Sequence, residues 1–291
     1  MQSGGLHVSI FPEHGSGGDL ELSTMTESMK EKSRHCVLVF SGLDPSGGAG
    51  ISADIEAISA VGAHALPVVT ALTVQDNDRV YAVNPVDAAI ISRQAQVLAG
   101  KIPVSAVKVG IVGNRDNAVA IGEAISELRR KQPGLPVVLD TVLGSGHGFA
   151  LADGTPEYAL SPLIGMATLV TPNLPEAKRL CPLANDTRTQ AEYLIAQGAA
   201  NVLVKGGHGE DENTVFNQWF STDGMKQWKW RRLPGEFHGT GCTLASAVAA
   251  YLAQGFLMEE ALEKGQAWCQ ATLENAFSIA KGQKIPGRQA C

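Results

Sequence analysis

The segment His238-Gly239-Thr240-Gly241-Cys242 has the clearest capacity for chemistry in this 291-residue chain, and a run of small and apolar residues that predicts a helix follows it. The two glycines let the backbone bend sharply, so that unpaired N–H groups point to one spot where the helix dipole favours negative charge. That spot suits a transferring phosphoryl group. Cys242 opens the predicted helix, and we expect its thiol to have a lowered pKa and to accept a proton. The alternative is that the small residues serve close packing and that Cys242 is an inert thiol.

A glycine-rich loop is predicted near the start of the chain, in Gly42-Leu43-Asp44-Pro45-Ser46-Gly47-Gly48-Ala49-Gly50. Such a loop brings backbone close to a ligand, although ordinary turns also use glycine. Asp54 follows one turn into the next predicted helix, where it is either a ligand contact or a solvated charge. Further along, Gln75 offers a donor and an acceptor that suit the edge of a heteroaromatic ring; the alternative is an ordinary loop glutamine.

Carboxylate and amide side chains follow two further predicted strands. Asp140 comes directly after Val137-Val138-Leu139. A carboxylate at the end of a buried strand needs a partner, which is either a metal ion with its waters or a set of protein donors. Asn173 and Glu176 follow the next strand and fit a helix capping box, with Asn173 at the N-cap and Glu176 at the third helical position. The same oxygens also suit hydrated Mg²⁺.

Lys205 lies at the end of another predicted strand, directly before Gly206-Gly207-His208. Lysine is a good point-charge partner for a polyphosphate. Taken together, the polar groups at the ends of successive strands predict a phosphotransferase that uses a Mg-nucleotide. The chain contains no Gly-x-x-x-x-Gly-Lys-Ser/Thr segment, so a P-loop fold is not supported.

Short apolar runs alternate with helical patterns from residue 36 onward. Continuous apolar strands that alternate with helices imply a parallel sheet covered by helices on both faces. Ligands bind such a sheet at the carboxyl ends of its strands, where the candidate residues lie. The predicted strands are 36–41, 65–72, 106–110, 136–140, 168–170 and 201–205, and the predicted helices are 50–61, 87–99, 114–131, 176–180, 189–197, 240–254 and 259–281.

The segment 213–232 breaks this alternation. It contains three of the four tryptophans, around Asp223-Gly224, a dipeptide typical of hairpin turns. We predict an antiparallel hairpin at the edge of the sheet, whose aromatic side chains serve packing rather than stacking on bases. No internal repeat or Pro-rich linker marks a domain boundary. We therefore expect a single domain over 35–291, preceded by a flexible extension over 1–34.

Composition argues against several classes of function. The net charge of −6 argues against broad binding to nucleic acid or to anionic membrane. The five cysteines are scattered and have no metal-ligand spacing, which favours a reduced, cytoplasmic protein. No apolar run approaches the roughly 18 residues that a membrane span needs.

Seven segments occur in an order that is typical of one kinase family: Gly42–Ile51 with Ala53-Asp54, Thr70-Ala71-Leu72, Lys108-Val109-Gly110, Val138–Val142, Thr171–Ala177, Lys205–His208 and His238–Leu244. Over about residues 37–278 the chain resembles the ribokinase-like kinases, and among them the hydroxymethylpyrimidine/phosphomethylpyrimidine kinases of thiamin biosynthesis. The resemblance implies a ribokinase-like three-layer α/β/α sandwich with a mostly parallel central sheet.

The resemblance also implies an activity: ATP-dependent phosphorylation of 4-amino-5-hydroxymethyl-2-methylpyrimidine, and then of its monophosphate to the diphosphate. It implies ATP and Mg²⁺ as cofactors and a homodimer as the assembly. Carried over by position, the pyrimidine pocket is lined by Gly42, Asp54, Thr73, Gln75, Ile111 and Val142; Mg²⁺ is organised by Asp140, Asn173 and Glu176; ATP is contacted by Lys205, Asn173 and Thr240; and the anion hole is formed by Gly239, Thr240 and Gly241, with Cys242 as the base.

Three places depart from the family pattern. Ile111 stands where a methionine commonly packs on the pyrimidine, the loop 143–148 differs from the usual Ser-Gly pattern, and the segment 234–237 lacks an Asn-Thr pair. The nearest alternative is a pyridoxal kinase, because pyridoxal is also a small heteroaromatic alcohol. The other alternative is a non-catalytic sensor of the pyrimidine or the nucleotide. The presence of Lys205 and of an intact anion hole argues against a sensor.

Overall fold

Nine strands form one sheet in the described part of the protein, a computed structural model in which residues 33–143 and 156–289 are described. The strand order is β3-β2-β1-β4-β5-β6-β7-β8-β9. Strands β1, β2, β4, β5, β6 and β7 run parallel, and β3, β8 and β9 are antiparallel to their neighbours. The strands are β1 (Cys36–Leu43), β2 (His64–Gln75), β3 (Val80–Pro85), β4 (Val104–Val109), β5 (Val137–Leu139), β6 (Leu169–Val170), β7 (Asn201–Val204), β8 (Thr214–Ser221) and β9 (Gly224–Arg231).

Helices cover both faces of the sheet, because the central strands are apolar on both sides. In β1, Leu38 and Phe40 enter the apolar core on one face and Val37 and Val39 enter the core on the other. Helices α2 to α6 pack on the first core, and α1, α7 and α8 pack on the second. The helices are α1 (Gly50–Ala60), α2 (Ala88–Lys101), α3 (Arg115–Lys131), α4 (Pro156–Ile164), α5 (Leu174–Leu180), α6 (Thr187–Ala196), α7 (Thr240–Ala253) and α8 (Met258–Glu274). The predicted three-layer sandwich is confirmed.

Two elements were missed by the sequence pattern, and one was predicted too long. The polar stretch before residue 87 contains β3, which pairs antiparallel with the end of β2. Helix α4 was not predicted. Helix α8 ends at Glu274 rather than at 281, because the chain then folds back and Phe277 pairs with Ile285. Gly282, at φ +108°, takes a backbone conformation that would break a helix.

The predicted edge hairpin is confirmed as β8 and β9. Ser221 pairs with Gly224, so Thr222 and Asp223 form its turn. Trp228 is buried in the second core, and its ring centroid lies 6.3 Å from that of Trp219. The aromatic side chains therefore serve packing, as expected.

The described residues from Arg34 onward belong to one compact unit. The predicted extension, 1–34, lies almost wholly outside the described residues, and its boundary stays a prediction. The divergent loop 143–148 is described only at Leu143. Within the described ranges, no helix has both the length and the apolar character that crossing a membrane requires.

Replacing Ile121 by alanine tests the first core. Ile121 is fully buried in α3, and removing its side chain leaves a cavity that lowers the free energy of unfolding by about 2–5 kcal/mol. Val119 on the same helix is 42% exposed, so Val119→Ala is the matched control, with an expected change within about 0.5 kcal/mol. Urea unfolding of both variants measures this, and equal losses would contradict the assignment.

Candidate active site

Two buried ion pairs lie at the carboxyl edge of the parallel strands. The first joins Lys108 of β4 to Asp54 of α1, with Nζ 2.8 Å from Oδ1 and 2.9 Å from Oδ2. Both side chains are completely buried, and Ser246 of α7 donates a further bond of 2.7 Å to Asp54 Oδ1. Burial alone would lower the pKa of Lys108, but Asp54, Cys242 and Asp140 raise it above its usual value. Lys108 is therefore charged.

The second pair joins Lys205, directly after β7, to Asp140, directly after β5. Lys205 Nζ lies 2.8 Å from Asp140 Oδ1, which also accepts a bond of 3.1 Å from Thr171 Oγ1. Burial would raise the pKa of Asp140, but Lys205 and Lys108 lower it below its usual value, so that it is ionised. Its buried Oδ2 has no hydrogen-bond partner among the described residues. An additional cation or donor suits this oxygen.

Asn173 and Glu176 form the predicted capping box at the start of α5. Asn173 Oδ1 accepts from Glu176 N and Glu176 Oε2 accepts from Asn173 N, each at 2.8 Å. Burial raises the pKa of Glu176 to about 7, with Lys205 acting against the shift and Asp140 adding to it. The structural role is confirmed, whereas binding of Mg²⁺ stays a proposal.

The start of α7 lies against the second ion pair. Gly239 is the N-cap at φ +82°, in the left-handed region that favours glycine. A Cβ on Gly241 would lie 3.1 Å from Lys205 Nζ and 3.5 Å from Asp140 Oδ2. Glycine at 241 therefore keeps the space beside these side chains open. The positive potential at the N-terminus of α7 adds to the charge of Lys205. Together with the backbone amides of this turn they make a candidate binding site for a phosphoryl group.

Cys242 lies in the first turn of α7, at its third residue rather than at its first. The expected lowering of its pKa is wrong: burial raises the pKa of the thiol to about 11, although Lys108 acts in the opposite direction. Only 8% of the residue is exposed, so loss of hydration outweighs the helix dipole and the nearby lysine. The thiol is neutral near pH 7.

Most of the predicted pyrimidine-binding residues lie together at the ends of β1, β2 and β4. A Cβ on Gly42 would lie 3.3 Å from Ile111 Cδ1, and Val142 packs against the small apolar cluster that contains Ile111. Thr73 Oγ1 donates to Leu43 O, and Gln75 Nε2 donates to Thr73 Oγ1, each at 2.7 Å. These residues present apolar surface beside amide and hydroxyl groups.

Asp54 differs from this group, because both its oxygens already accept hydrogen bonds from Lys108 and Ser246. It is neither a solvated helix-face charge nor an open ligand contact in this conformation. Its direct contact with a pyrimidine stays a prediction, and its observed role is to hold Lys108.

Three further polar side chains of the candidate site were not among the predicted site residues: Lys108, Asp44 and His238. Asp44 Oδ1 accepts from Ser46 N at 2.8 Å and its Oδ2 accepts from Ala49 N at 2.7 Å, which shapes the glycine loop. His238 Nε2 lies 2.8 Å from Asp44 Oδ2 and joins this loop to the segment before α7. The signals were a lysine inside an apolar strand and an Asp-Pro-Ser turn sequence.

A cavity of about 360 Å³ is lined by Val204 and Gly206, the two sequence neighbours of Lys205. Its walls are formed mainly by the loop after β7 and by the hairpin. Its lining combines apolar side chains and glycines with polar side chains: Leu174, Val204, Gly206, Gly209 and Phe216 with Glu210, Asp211, Thr214, Gln218 and Gln227. Apolar surface beside hydrogen-bonding groups suits a flat heterocyclic base.

The sequence model of the family described as "Phosphomethylpyrimidine kinase" matches residues 44–286. The chain belongs to this family. The hydroxymethylpyrimidine/phosphomethylpyrimidine kinase of Rhizobium meliloti is 36% identical over 255 residues, which cover 84% of this chain and 93% of that protein. The corresponding Escherichia coli kinase is 33% identical, over 85% of this chain and 94% of that protein. The chain also matches a bifunctional thiamine biosynthesis protein of Geobacter sulfurreducens with 36% identity, covering 86% of this chain but 51% of that longer protein.

Solved structures of the phosphomethylpyrimidine kinase family and of pyridoxal kinases share the fold. A Staphylococcus aureus pyridoxal kinase in complex with pyridoxal has a TM-score of 0.79 and 25% identity, over 89% of this chain and 94% of that one. A Clostridium difficile phosphomethylpyrimidine kinase has a TM-score of 0.68 and 29% identity, over 82% of this chain and 100% of that one. The predicted family and the predicted ribokinase-like fold are confirmed.

Removing one member of the Asp54–Lys108 ion pair should destabilise the fold more than removing both members together. Asp54→Asn or Lys108→Met leaves a buried polar or charged group without its partner, so each lowers the free energy of unfolding by about 3–5 kcal/mol. The double variant should lose less free energy of unfolding than the sum of the two single losses. Urea unfolding of all three variants measures this. Arg130→Met, which breaks an exposed pair with Glu127, is the control and should change stability by less than about 1 kcal/mol. Additive losses at 54 and 108 would show that the two side chains are not coupled.

Cys242 should react slowly with iodoacetamide. With a pKa of about 11, its thiolate fraction at pH 7.5 is at least about 100-fold below that of an ordinary cysteine. Time-resolved mass spectrometry of the labelled native protein measures the rate. The urea-unfolded protein is the reference for an ordinary cysteine, and partly exposed Cys36, whose pKa burial also raises, is an internal comparison. Rapid native labelling at Cys242 would contradict the raised pKa.

Proposed function

We propose that the protein transfers the γ-phosphoryl group of ATP to the hydroxymethyl oxygen of 4-amino-5-hydroxymethyl-2-methylpyrimidine, and a second phosphoryl group to the resulting monophosphate. Membership of the phosphomethylpyrimidine kinase family supports this substrate class. The observation that carries the chemistry is the Lys205–Asp140 pair held against Gly241 at the start of α7. Such a place neutralises charge on a transferring phosphoryl group.

The nucleotide is proposed to lie across Lys205. Its base enters the cavity beside Gly206, and its terminal phosphates reach Lys205 and the amides of residues 239–241. In the first transfer the bond from the γ-phosphorus to its bridging oxygen breaks and ADP leaves with that oxygen. A bond from the γ-phosphorus to the hydroxymethyl oxygen forms, and the hydroxymethyl proton passes to Cys242 in its thiolate form. The charge that grows on the phosphoryl oxygens meets preorganised N–H groups.

The residues present fit Mg²⁺. Asp140 is ionised, and one of its buried oxygens has no partner among the described residues. Its negative charge helps to raise the pKa of Glu176, so the two carboxyl groups are near each other. The described residues contain no closed cluster of three or more His, Cys, Asp or Glu side chains. The two carboxyl groups of Asp140 and Glu176 therefore suit an ion that keeps most of its waters. Bound there, Mg²⁺ would neutralise phosphate charge, with Asp140 and Glu176 holding its hydration shell.

The pyrimidine is proposed to lie among Gly42, Ile111 and Val142, with Thr73 and Gln75 at its polar edge. The small glycine lets the ring approach the backbone, and the two aliphatic side chains contact its faces. Ile111 is branched and shorter than methionine, so it changes the shape of this surface rather than its polarity.

A pyridoxal kinase activity is the second candidate. The overall likeness to the Staphylococcus aureus pyridoxal kinase, at a TM-score of 0.79, favours it. The pocket described here presents apolar faces and an amide edge, which suit either heteroaromatic alcohol. Homodimerisation and a cytoplasmic location remain predictions.

Product analysis by phosphorus NMR tests the proposed function. The protein is incubated with Mg-ATP and the hydroxymethylpyrimidine, with pyridoxal in a parallel sample. A pyrimidine diphosphate is the expected product. A monophosphate alone would leave the single-step and pyridoxal kinases to be ranked by their rates, and no product from either alcohol would favour a sensor.

Cys242→Ala should impair the first phosphorylation more than the second. The first acceptor is an alcohol whose proton must leave, and we expect a loss of about 10²–10⁴-fold; the second acceptor is already a phosphate. Since the thiolate is scarce below pH 11, a base role also makes the wild-type first step rise about tenfold per pH unit between pH 7 and 9. Single-turnover rates of both steps measure this, with Cys242→Ser as the size-matched control. Equal losses in both steps, without a pH slope, would make Cys242 a positioning residue.

A further inference from the structure

Arg288 is the largest of the completely buried side chains in the described residues. A guanidinium that is removed from water needs hydrogen-bond acceptors for its donors. Arg288 Nε donates to Thr243 Oγ1 at 2.9 Å, Nη1 to Glu56 Oε2 at 3.0 Å and Nη2 to Gly48 O at 2.5 Å. Each nitrogen of the guanidinium therefore has an acceptor of its own.

The three acceptors belong to three elements that build the phosphoryl-transfer site. Thr243 is in the first turn of α7 and donates through its own Oγ1 to Gly239 O at 2.8 Å. Gly48 belongs to the glycine loop, and Glu56 lies on α1. A single planar group thus joins the glycine loop to the anion-binding turn.

The contact between these two loops is close. A Cβ on Gly239 would overlap Gly48 O and would lie 3.0 Å from Arg288 Nη2. Gly48 O therefore points into the crevice beside Gly239, and Nη2 binds it there. The guanidinium also keeps a positive charge behind the amides that are proposed to receive the phosphoryl group. Its carboxylate partner, Glu56, has a side chain that is 41% exposed, so solvent screens that compensating charge.

Arg288 is positioned by the segment to which it belongs, residues 277–288, which we call the C-terminal strap. Lys284 O accepts from His238 N at 2.8 Å, and Lys284 N donates to Glu236 O at 2.9 Å. Asn77, in the turn between β2 and β3, donates to Lys281 O and Gln283 O at 3.0 and 3.1 Å. The strap is thus fixed to both sides of the site before it reaches Arg288. The family match ends at residue 286, so Arg288 lies beyond it.

We propose that Arg288 is a positioning residue for phosphoryl transfer, which holds the glycine loop and the first turn of α7 in the geometry that receives the transferring group. This inference rests on the proposed function. Because the held amides meet charge that grows in the transition state, loss of Arg288 acts on kcat more than on KM.

The test compares Arg288→Met, Arg288→Lys and a matched control, Arg129→Met. Arg129 donates to Leu135 O and Thr168 Oγ1, which precede β5 and β6 at the opposite edge of the sheet. Each variant is measured for its Tm, for kcat and KM in the first phosphorylation, and for binding of Mg-ADP with and without aluminium fluoride. Aluminium fluoride stands in for the transferring phosphoryl group.

We expect Arg288→Met to lower kcat by about 10²-fold and to change the KM for the pyrimidine by less than about threefold. Binding of Mg-ADP with aluminium fluoride should weaken at least about tenfold, while binding of Mg-ADP alone stays within about threefold. Arg288→Lys should lie between wild type and Arg288→Met, since one ammonium cannot reach three acceptors on separate elements. Arg129→Met should lower the Tm without changing the kinetics.

Several results would overturn the proposal. These are a folded Arg288→Met protein with wild-type kcat, an Arg288→Lys protein with full activity, and loss of folding in both Arg288 variants. If the wild-type protein phosphorylates no pyrimidine, the proposed function fails separately. The binding of Mg-ADP with aluminium fluoride still reports on Arg288 in that case.

Discussion

The candidate site depends on charges that are buried in pairs. Lys108 with Asp54, and Lys205 with Asp140, are almost completely removed from water, and an unpaired ion there would cost several kcal/mol. Each pair joins side chains from different elements, so the pairs form only when those elements have assembled. The pairing therefore requires the strand order that the protein shows, with β5, β6 and β7 adjacent, α1 packed on β1 and β2, and α7 packed on β4 and β5. A site of this kind is in place before a ligand arrives.

The same burial decides the chemistry of the cysteine. Position in the first turn of a helix and a neighbouring lysine both favour a thiolate, and from the sequence only the first of these effects is visible. The structure adds the third effect, loss of hydration, and it outweighs the other two because Cys242 is almost completely enclosed. The candidate site therefore combines two charged lysines with a thiol that is neutral near pH 7. Burial, and not residue type alone, decides the protonation state of the thiol.

Much of the fold could be predicted from the sequence, because its central strands are continuous apolar runs and helices α2, α3, α5 and α6 each begin with an Asp or Asn cap. Six parallel strands, the edge hairpin and the capping box at Asn173 and Glu176 were all predicted. Strand β3 was missed because its burial alternates only weakly behind a polar turn, and the end of α8 was misplaced because the strap continues in residues that also suit a helix. Lys205 and Asp140 were found because they end strands. Lys108, His238 and Arg288 were not, since their partners Asp54, Asp44 and Gly48 lie 54, 194 and 240 positions away in the sequence.

The strap makes the candidate site a late product of folding during synthesis, after most of the sheet. Gly48 and Arg288 are 240 positions apart, yet they share a hydrogen bond behind the first turn of α7. During synthesis the glycine loop leaves the ribosome long before the arginine that holds it, and β1 pairs with β2 and β4 in the meantime. Most of the sheet can therefore form on a nascent chain, whereas the site is completed only after residue 288 has been translated. An unfinished chain would carry most of the fold without the contact that completes the site.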